Sequence, residues 1–435
     1  MALSPEMARA LASGFDLLAL PADFYVDPYP YYDALRSHEP VKRCADGSYL
    51  LTRYDDLTRV YRDTKTFSSD KNKEFRPKFG DCALFEHHTS SLVFRDPPVH
   101  TRLRRSIAGA LTPRHVAALE PGLTALVERL LDAMADRATV DLIDDFAGAI
   151  PVEIIGNLLA IPHADRRPLR AWSLAILGAL EPSIDAEAAA RGNAAVREML
   201  TYLAALVAER RAHPGDPAID VLTRLIQGEE DSERLSSQDL LHNCIFLLNA
   251  GHETTTNLIG NSLVTLLNWP SERQKLISQP EAIHTAVEEF LRFESSNQLG
   301  NRITTQPVTI GNAKMAPDTR IWLCIGAANR DPQKFPDPNR LDILRSPNRH
   351  LAFGSGPHLC LGLNLGRLEA RIAISRFLRR YPRYEFAGPA LRGGRVRFRG
   401  FLHVPCRLEP AARSTVNPDD HKVADHSHSD GGSGL

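Results

Sequence analysis

A mainly α-helical fold with a small β-sheet region is what this sequence predicts, and three observations carry the expectation. Apolar residues recur at helical spacing through most of residues 115–230. One long apolar stretch between Ser236 and Pro270 has the length of a helix that crosses a whole molecule, roughly 50 Å at about 1.5 Å per residue. Segments with the alternation of strands are short by comparison, and fall at 41–53, 308–325 and 395–404.

Length and composition set the outer bounds. With 435 residues, 43% of them hydrophobic, the chain can bury a large core, as one large domain or two or three smaller ones. A formal net charge of -1, with no basic tract interleaved with aromatics, argues against a nucleic-acid partner. The six cysteines, Cys44, Cys82, Cys244, Cys324, Cys360 and Cys406, are scattered, which fits a reduced intracellular protein better than a disulfide framework. The N-terminus shows neither the basic and apolar regions of a signal peptide nor a spanning apolar run, so a cytoplasmic protein without a membrane partner is expected.

Taken in order, residues 25–36 begin with proline-rich turns and pass into a short helix, and 41–53 reads as a hairpin around Asp46-Gly47. A helix is expected over 55–67, with Leu57, Val60 and Tyr61 on one side. Residues 68–95 hold no sustained period, and a long irregular segment inside a compact chain is more often functional than idle. Asp96-Pro97-Pro98 gives an N-cap followed by prolines, a helix start. On that helix His100 and Arg104 share a face, while Arg102 and Arg105 project elsewhere; taken alone, a solvated basic helix explains them.

Leu119, Leu123, Leu126, Leu130 and Met134 form one core stripe and Leu200, Leu203, Leu206 and Val207 another, interrupted at Pro182 and Pro214-Gly215-Asp216-Pro217. The long helix opens with Ser236 and Asp239 in an approximate capping box and stops at Pro270. A further helix over 282–293 carries Glu289 and Arg292 one turn apart, a spacing that by itself gives a surface ion pair of little worth. Strands are expected at 308–310 and 320–325, an irregular stretch at 328–338, and a last strand pair at 395–404. From residue 411 the chain is rich in Ser, Asp, His and Gly, which predicts a disordered tail whose histidines are an incidental tract rather than a metal site.

Two stretches are not accounted for by core packing. In the middle of the long helix the run Asn249-Ala250-Gly251-His252-Glu253-Thr254-Thr255-Thr256 puts a glycine, an acid and three threonines where burial is expected, at a cost in stability. A polar helix contact or a local kink would also produce it. The other is Phe353-Gly354-Ser355-Gly356-Pro357-His358-Leu359-Cys360-Leu361-Gly362, a glycine-punctuated loop just before a helical pattern. Its glycines permit positive φ, and Cys360 falls at a helix N-terminus, where unpaired amides stabilise a thiolate. Such a thiolate could be a nucleophile, a zinc ligand or a haem ligand. Zinc lacks a second nearby cysteine, His358 is poorly placed as a base, and a buried structural cysteine is the commonest case.

The cysteine loop resembles the haem-binding loop of the cytochrome P-450 family, Phe-x-x-Gly-x-His/Arg-x-Cys-x-Gly, and the resemblance extends over about residues 20–408. It implies the P-450 fold, one domain over 1–410 with its β region mainly at 20–67, 300–326 and 395–408, and haem b as cofactor. Cys360 would then be the axial ligand of haem iron, Phe353 and Gly354 would pack beside it, and His358, His100, Arg104 and Arg302 would serve the propionates. The long helix matches the family's Ala/Gly-Gly-x-Asp/Glu-Thr signature. Ala250 and Gly251 would leave room for dioxygen, Thr254 would hydrogen-bond it and Glu253 would deliver protons. Glu289 and Arg292 resemble the family's Glu-x-x-Arg pair, completed by Arg340 in a structural role.

The activity implied is a monooxygenase that hydroxylates or oxidatively demethylates a small organic substrate with dioxygen. Electrons would come from a ferredoxin and its NAD(P)H-dependent reductase, docking near Arg102, Arg105, Arg349 and Arg367 on a monomer. A peroxide-driven peroxygenase and a non-catalytic haem protein are the alternatives, and the first typically lacks the acid and threonine pair. By position, Phe94, Phe246, Asn249, Ala250, Gln298, Leu299 and Phe401 would face the substrate, mixing apolar walls with polar anchors.

Overall fold

The computed structural model describes residues 4–217, 220–227 and 235–410; the expected disordered tail lies outside them. Helices dominate, and the largest apolar cluster forms around the long central one. Four helices position the site: α1 (Val99–Ala108), α2 (Ser237–Asn268), α3 (Ile283–Phe293) and α4 (Leu363–Arg380).

Helix α2 begins as expected, with Ser236 Oγ accepting the Asp239 N–H at 3.0 Å, and Pro270 opens the next helix. It is buried on nearly every side, and some of its polar residues are satisfied by chain passing across it or by its own turns, while Asn249, His252 and Asn257 keep buried polar atoms without a partner among the described residues. Asn243 accepts the Leu92 N–H at 3.0 Å, Asn261 donates to the Arg399 carbonyl at 3.0 Å, and Ser262 turns back on Leu258 O at 2.6 Å. These contacts offset part of the cost of burying so polar a helix.

The main sheet contains β1 (Val41–Arg43), β2 (Tyr49–Leu51), β3 (Phe67–Ser68), β4 (Leu299–Thr304) and β5 (Arg320–Cys324), in the order β1-β2-β5-β4-β3. The expected hairpin forms with Val41 opposite Leu51. β2 runs parallel to β5, and β4 pairs antiparallel with both β5 and β3. Its apolar residues form cores separate from the one around α2.

Several expectations need correction. Residues 20–40 belong to helices Ala22–Val26 and Tyr29–His38 rather than to the β region. The helix expected over 55–67 is Tyr54–Arg62, because Phe67 enters the sheet opposite Thr304. The aperiodic stretch 68–95 holds two helices, Asn72–Phe79 and Ala83–Ser90. Each is eight residues long, too short for an apolar period to stand out, and the first contains Pro77. Asp96 does not cap α1; its carboxylate instead takes the Ser68 hydroxyl and the Ser69 N–H, tying β3 to the start of α1.

Residues 308–310 pair only with 313–315, outside the main sheet. Residues 395–400 are not a strand apart from one bridge between Phe398 and Asn297; pairing resumes at Phe401–His403 and Pro405–Glu409. The chain is held close there, since a Cβ at Gly400 would fall 1.9 Å from Asn257 Oδ1.

Candidate active site

Between α2 and the loop ahead of α4 lies a cavity of about 320 Å3, with Cys360 on one wall and Ala250, Gly251 and Thr254 on another. The loop's geometry follows from its glycines. Gly354 and Gly356 both have φ of 70°, and a Cβ at Gly356 would sit 2.4 Å from the Tyr61 carbonyl oxygen. Gly362 departs from expectation: with φ of -83° it caps α4, and the space its Cβ would take is open.

The Cys360 N–H donates to Phe353 O at 3.0 Å, closing the loop three residues before α4 begins. Burial pushes the thiol up, while the Gly362 N–H, Arg104 and Arg367 pull it down. Phe353 lines the cavity beside it and lies under the Arg367 guanidinium, 4.8 Å from the ring centre.

Four basic side chains gather on the same cavity. His100 is buried with both ring nitrogens unpartnered, and its ring lies 4.0 Å from that of His358. Arg104 donates to Leu359 O at 2.7 Å, and Arg302 to Asn301 O at 2.7 Å, leaving Arg302 Nε without a partner. His358 meets Ser69 Oγ at 3.2 Å and is pushed to about 2 by burial and by Arg302, His100, Arg104 and Lys71. Among the described residues none of the four forms an ion pair. Such a set of donors without counter-charges facing one space, His100 and Arg302 among them buried, suits a dianionic ligand.

On α2 the adjacent acid and alcohol face different spaces. Thr254 Oγ donates to Ala250 O at 2.8 Å on the wall of the main cavity. Glu253 lines a separate cavity of about 20 Å3, room for little more than a water, together with Arg170, Asn257 and Phe401. Its Oε1 pairs with Arg395 at 2.6 Å and its Oε2 has no partner. Burial raises this carboxyl to about 7 against the pull of Arg395. Gly251 also makes room for Ile155, whose Cδ1 would lie 3.1 Å from an added Cβ.

Of the expected substrate-facing residues, Phe94, Phe246, Asn249 and Ala250 line the cavity. Gln298, Leu299 and Phe401 do not. Gln298 turns away to donate to Ser295 O at 2.7 Å, Leu299 packs with Trp322 and Tyr29, and Phe401 belongs to the small cavity at Glu253. Further along the same strand Gly300, Asn301 and Arg302 line the main cavity, while Leu299 at its start is taken up by the separate apolar cluster.

The Glu289–Arg292 pair is fully buried at 2.8 Å, and its third member is Arg345, not Arg340. Arg345 Nε reaches Glu289 at 3.1 Å, whereas Arg340 is exposed and offers only its carbonyl to Arg292, at 3.5 Å. Sequence reasoning also missed His87, His88, Asn297, Glu369, Arg397 and Phe398 on the cavity wall. Of these, only the adjacent His87 and His88, inside a stretch with no helical period, offered a signal.

A family model described as Cytochrome P450 matches residues 278–383. The chain is 34% identical over 372 residues to "Biotin biosynthesis cytochrome P450" of Bacillus subtilis (strain 168), covering 84% of this chain and 92% of that protein. It is 37% identical over 371 residues to "Vitamin D(3) 25-hydroxylase" of Pseudonocardia autotrophica, covering 84% and 89%. Among solved structures, P450BioI in complex with hexadec-9Z-enoic acid ligated acyl carrier protein superposes with a TM-score of 0.84. That pair is 32% identical and covers 89% of this chain and 100% of the other.

Proposed function

The chain belongs to the cytochrome P450 family, and from that premise we propose that Cys360 is the thiolate ligand of haem iron in a monooxygenase acting on a small organic molecule. Members of the family bind haem and are haem-thiolate monooxygenases. Bound haem supplies the activation of dioxygen, and a thiolate ligand favours cleavage of its O–O bond. The observation that carries the reading is the convergence on one cavity of Cys360 and four basic side chains that, among the described residues, form no ion pair.

The residues present fit haem b. His100, Arg104, Arg302 and His358 offer donors to two propionates, and the unpartnered nitrogens of His100 and Arg302 are what such carboxylates would satisfy. Phe353 and Gly354 bound the space beside the sulfur, and Ala250 and Gly251 keep the opposite wall low. Thr254 holds a hydroxyl on that wall as a donor, and Glu253 carries a proton on the far side of the same helix turn. Glu289, Arg292 and Arg345 lock the chain ahead of the cysteine loop.

The reaction we assign is hydroxylation or oxidative demethylation, with electrons from a ferredoxin and its NAD(P)H-dependent reductase. The protein would work in the cytoplasm as a monomer; no helix among the described residues is long and apolar enough to cross a membrane. Arg102, Arg105, Arg349 and Arg367 would face the ferredoxin. The test is the absorption spectrum of the dithionite-reduced protein with carbon monoxide bound. A strongly red-shifted Soret band, lost in Cys360→Ser, is expected; its absence in folded, haem-loaded protein refutes the assignment.

A further inference from the structure

We propose that Arg397, with His88 on the wall of the same cavity, forms a carboxylate-binding subsite, so that the substrate is an amphiphilic organic acid rather than a neutral molecule. The inference rests on the reading of the cavity as the haem and substrate chamber.

Arg397 is 7% exposed and lines the cavity, yet its Nε has no partner and its guanidinium joins no ion pair among the described residues. Its backbone is fixed from both sides: the N–H donates to Glu181 at 3.1 Å and the carbonyl accepts the Gln298 N–H at 2.8 Å. The two acids whose fields reach Arg397 are Glu181 and Glu74, and both are engaged elsewhere. Glu181 accepts the Val396 and Arg397 backbone N–H groups, at 2.8 and 3.1 Å. Glu74 pairs with Lys71 at 3.0 Å and accepts from Asn301 at 3.1 Å. A guanidinium buried without a counter-charge is costly, and a ligand carboxylate arriving in the cavity would remove the cost.

The surroundings suit the rest of such a molecule. His88 is buried on the same cavity with Nε2 unpartnered, and burial together with His87, Lys78 and Arg397 holds the ring neutral, able to donate one further hydrogen bond. Its ring packs against Phe94 at 5.9 Å, and Phe94 shares an apolar cluster with Leu177, Leu180 and Phe398. A polar end and an apolar wall thus lie side by side. Arg302 acts on Arg397 as well as on the His100 and His358 pair, whose tilted rings lie 4.0 Å apart, so the substrate carboxylate would bind next to the donors assigned to the propionates.

The experiment titrates the haem-loaded enzyme with myristic acid and with methyl myristate, following the low-spin to high-spin shift of the Soret band. The acid is expected to bind about tenfold to a hundredfold more tightly than the ester. Arg397→Leu should bring the acid to the level of the ester and leave the ester unchanged, and Arg397→Lys should keep part of the preference. Haem content and the carbon monoxide band should match the unsubstituted enzyme in both variants. Equal binding of acid and ester, no response to the acid, or a preference untouched in Arg397→Leu would overturn the proposal. Selective loss of haem in Arg397→Leu would also do so, by assigning the guanidinium to a propionate. Failure of the haem-thiolate reading shows separately, as a missing red-shifted band in the unsubstituted protein.

Discussion

Glu253 shows how far one contact sets the proton affinity of a buried acid. Burial lifts its carboxyl from an ordinary value of 4.5 to about 7, and Arg395 at 2.6 Å keeps it from rising further. A carboxyl raised on folding adds stability that is fully present below pH 4.5 and is lost as pH rises through 7. Glu253→Gln should therefore flatten the pH dependence of unfolding across that window, as read by denaturant titration. If this group hands on protons, product formed per NAD(P)H consumed should fall above pH 7, and the glutamine variant should turn over about tenfold to a hundredfold more slowly. Arg395→Leu removes the charge that holds the pKa down, so the falling limb of the profile should move to higher pH. Unchanged pH profiles in both variants would remove Glu253 from the proton path. The acid and the neighbouring Thr254 were legible in the sequence because they sit in a local run within a buried helix. Arg395 and Arg397 were not, because they reach the small and the main cavity, respectively, from a part of the chain distant from the long helix.

At the scale of elements, the long helix could be read almost to the residue: its cap, its apolar surround and the proline after it are all local signals. The third partner of Glu289 could not be. Glu289 and Arg292 share one turn of α3, whereas the partner comes from a stretch without regular period, where Arg340 and Arg345 are equally plausible by spacing. Geometry separates them. Arg345 reaches the carboxylate with a side chain about 10% exposed and also donates to Pro336 O at 2.7 Å. Arg345→Ala should destabilise the folded protein by about 2–4 kcal/mol, because it leaves a buried carboxylate short of a partner. Arg340→Ala should change stability by less than about 0.5 kcal/mol, as exposed side chains usually do. Unfolding midpoints of the two variants decide the matter, and equal losses would restore Arg340 to the triad.

For the whole molecule, a formal net charge of -1 gives no strong overall field, so recognition of an electron donor must come from local arrangement of charge. The four arginines assigned to that surface are not equivalent. Arg367 is tied to Glu288 at 2.6 and 2.7 Å, and Arg102 lies 3.5 Å from Asp239 at the start of α2. Each therefore presents a largely compensated charge. Arg349 is exposed, and its backbone is anchored where its carbonyl accepts the Tyr54 hydroxyl at 2.6 Å, so its charge can be reversed without disturbing that anchor. Arg349→Glu should slow haem reduction by the proposed ferredoxin severalfold at low ionic strength. The deficit should close as salt rises and the screening length falls from about 10 Å at 0.1 M toward about 3 Å at 1 M. Stopped-flow reduction under carbon monoxide, repeated across ionic strength, measures this directly. Equal rates for the variant and the unsubstituted enzyme at the lowest salt would place the donor on another face.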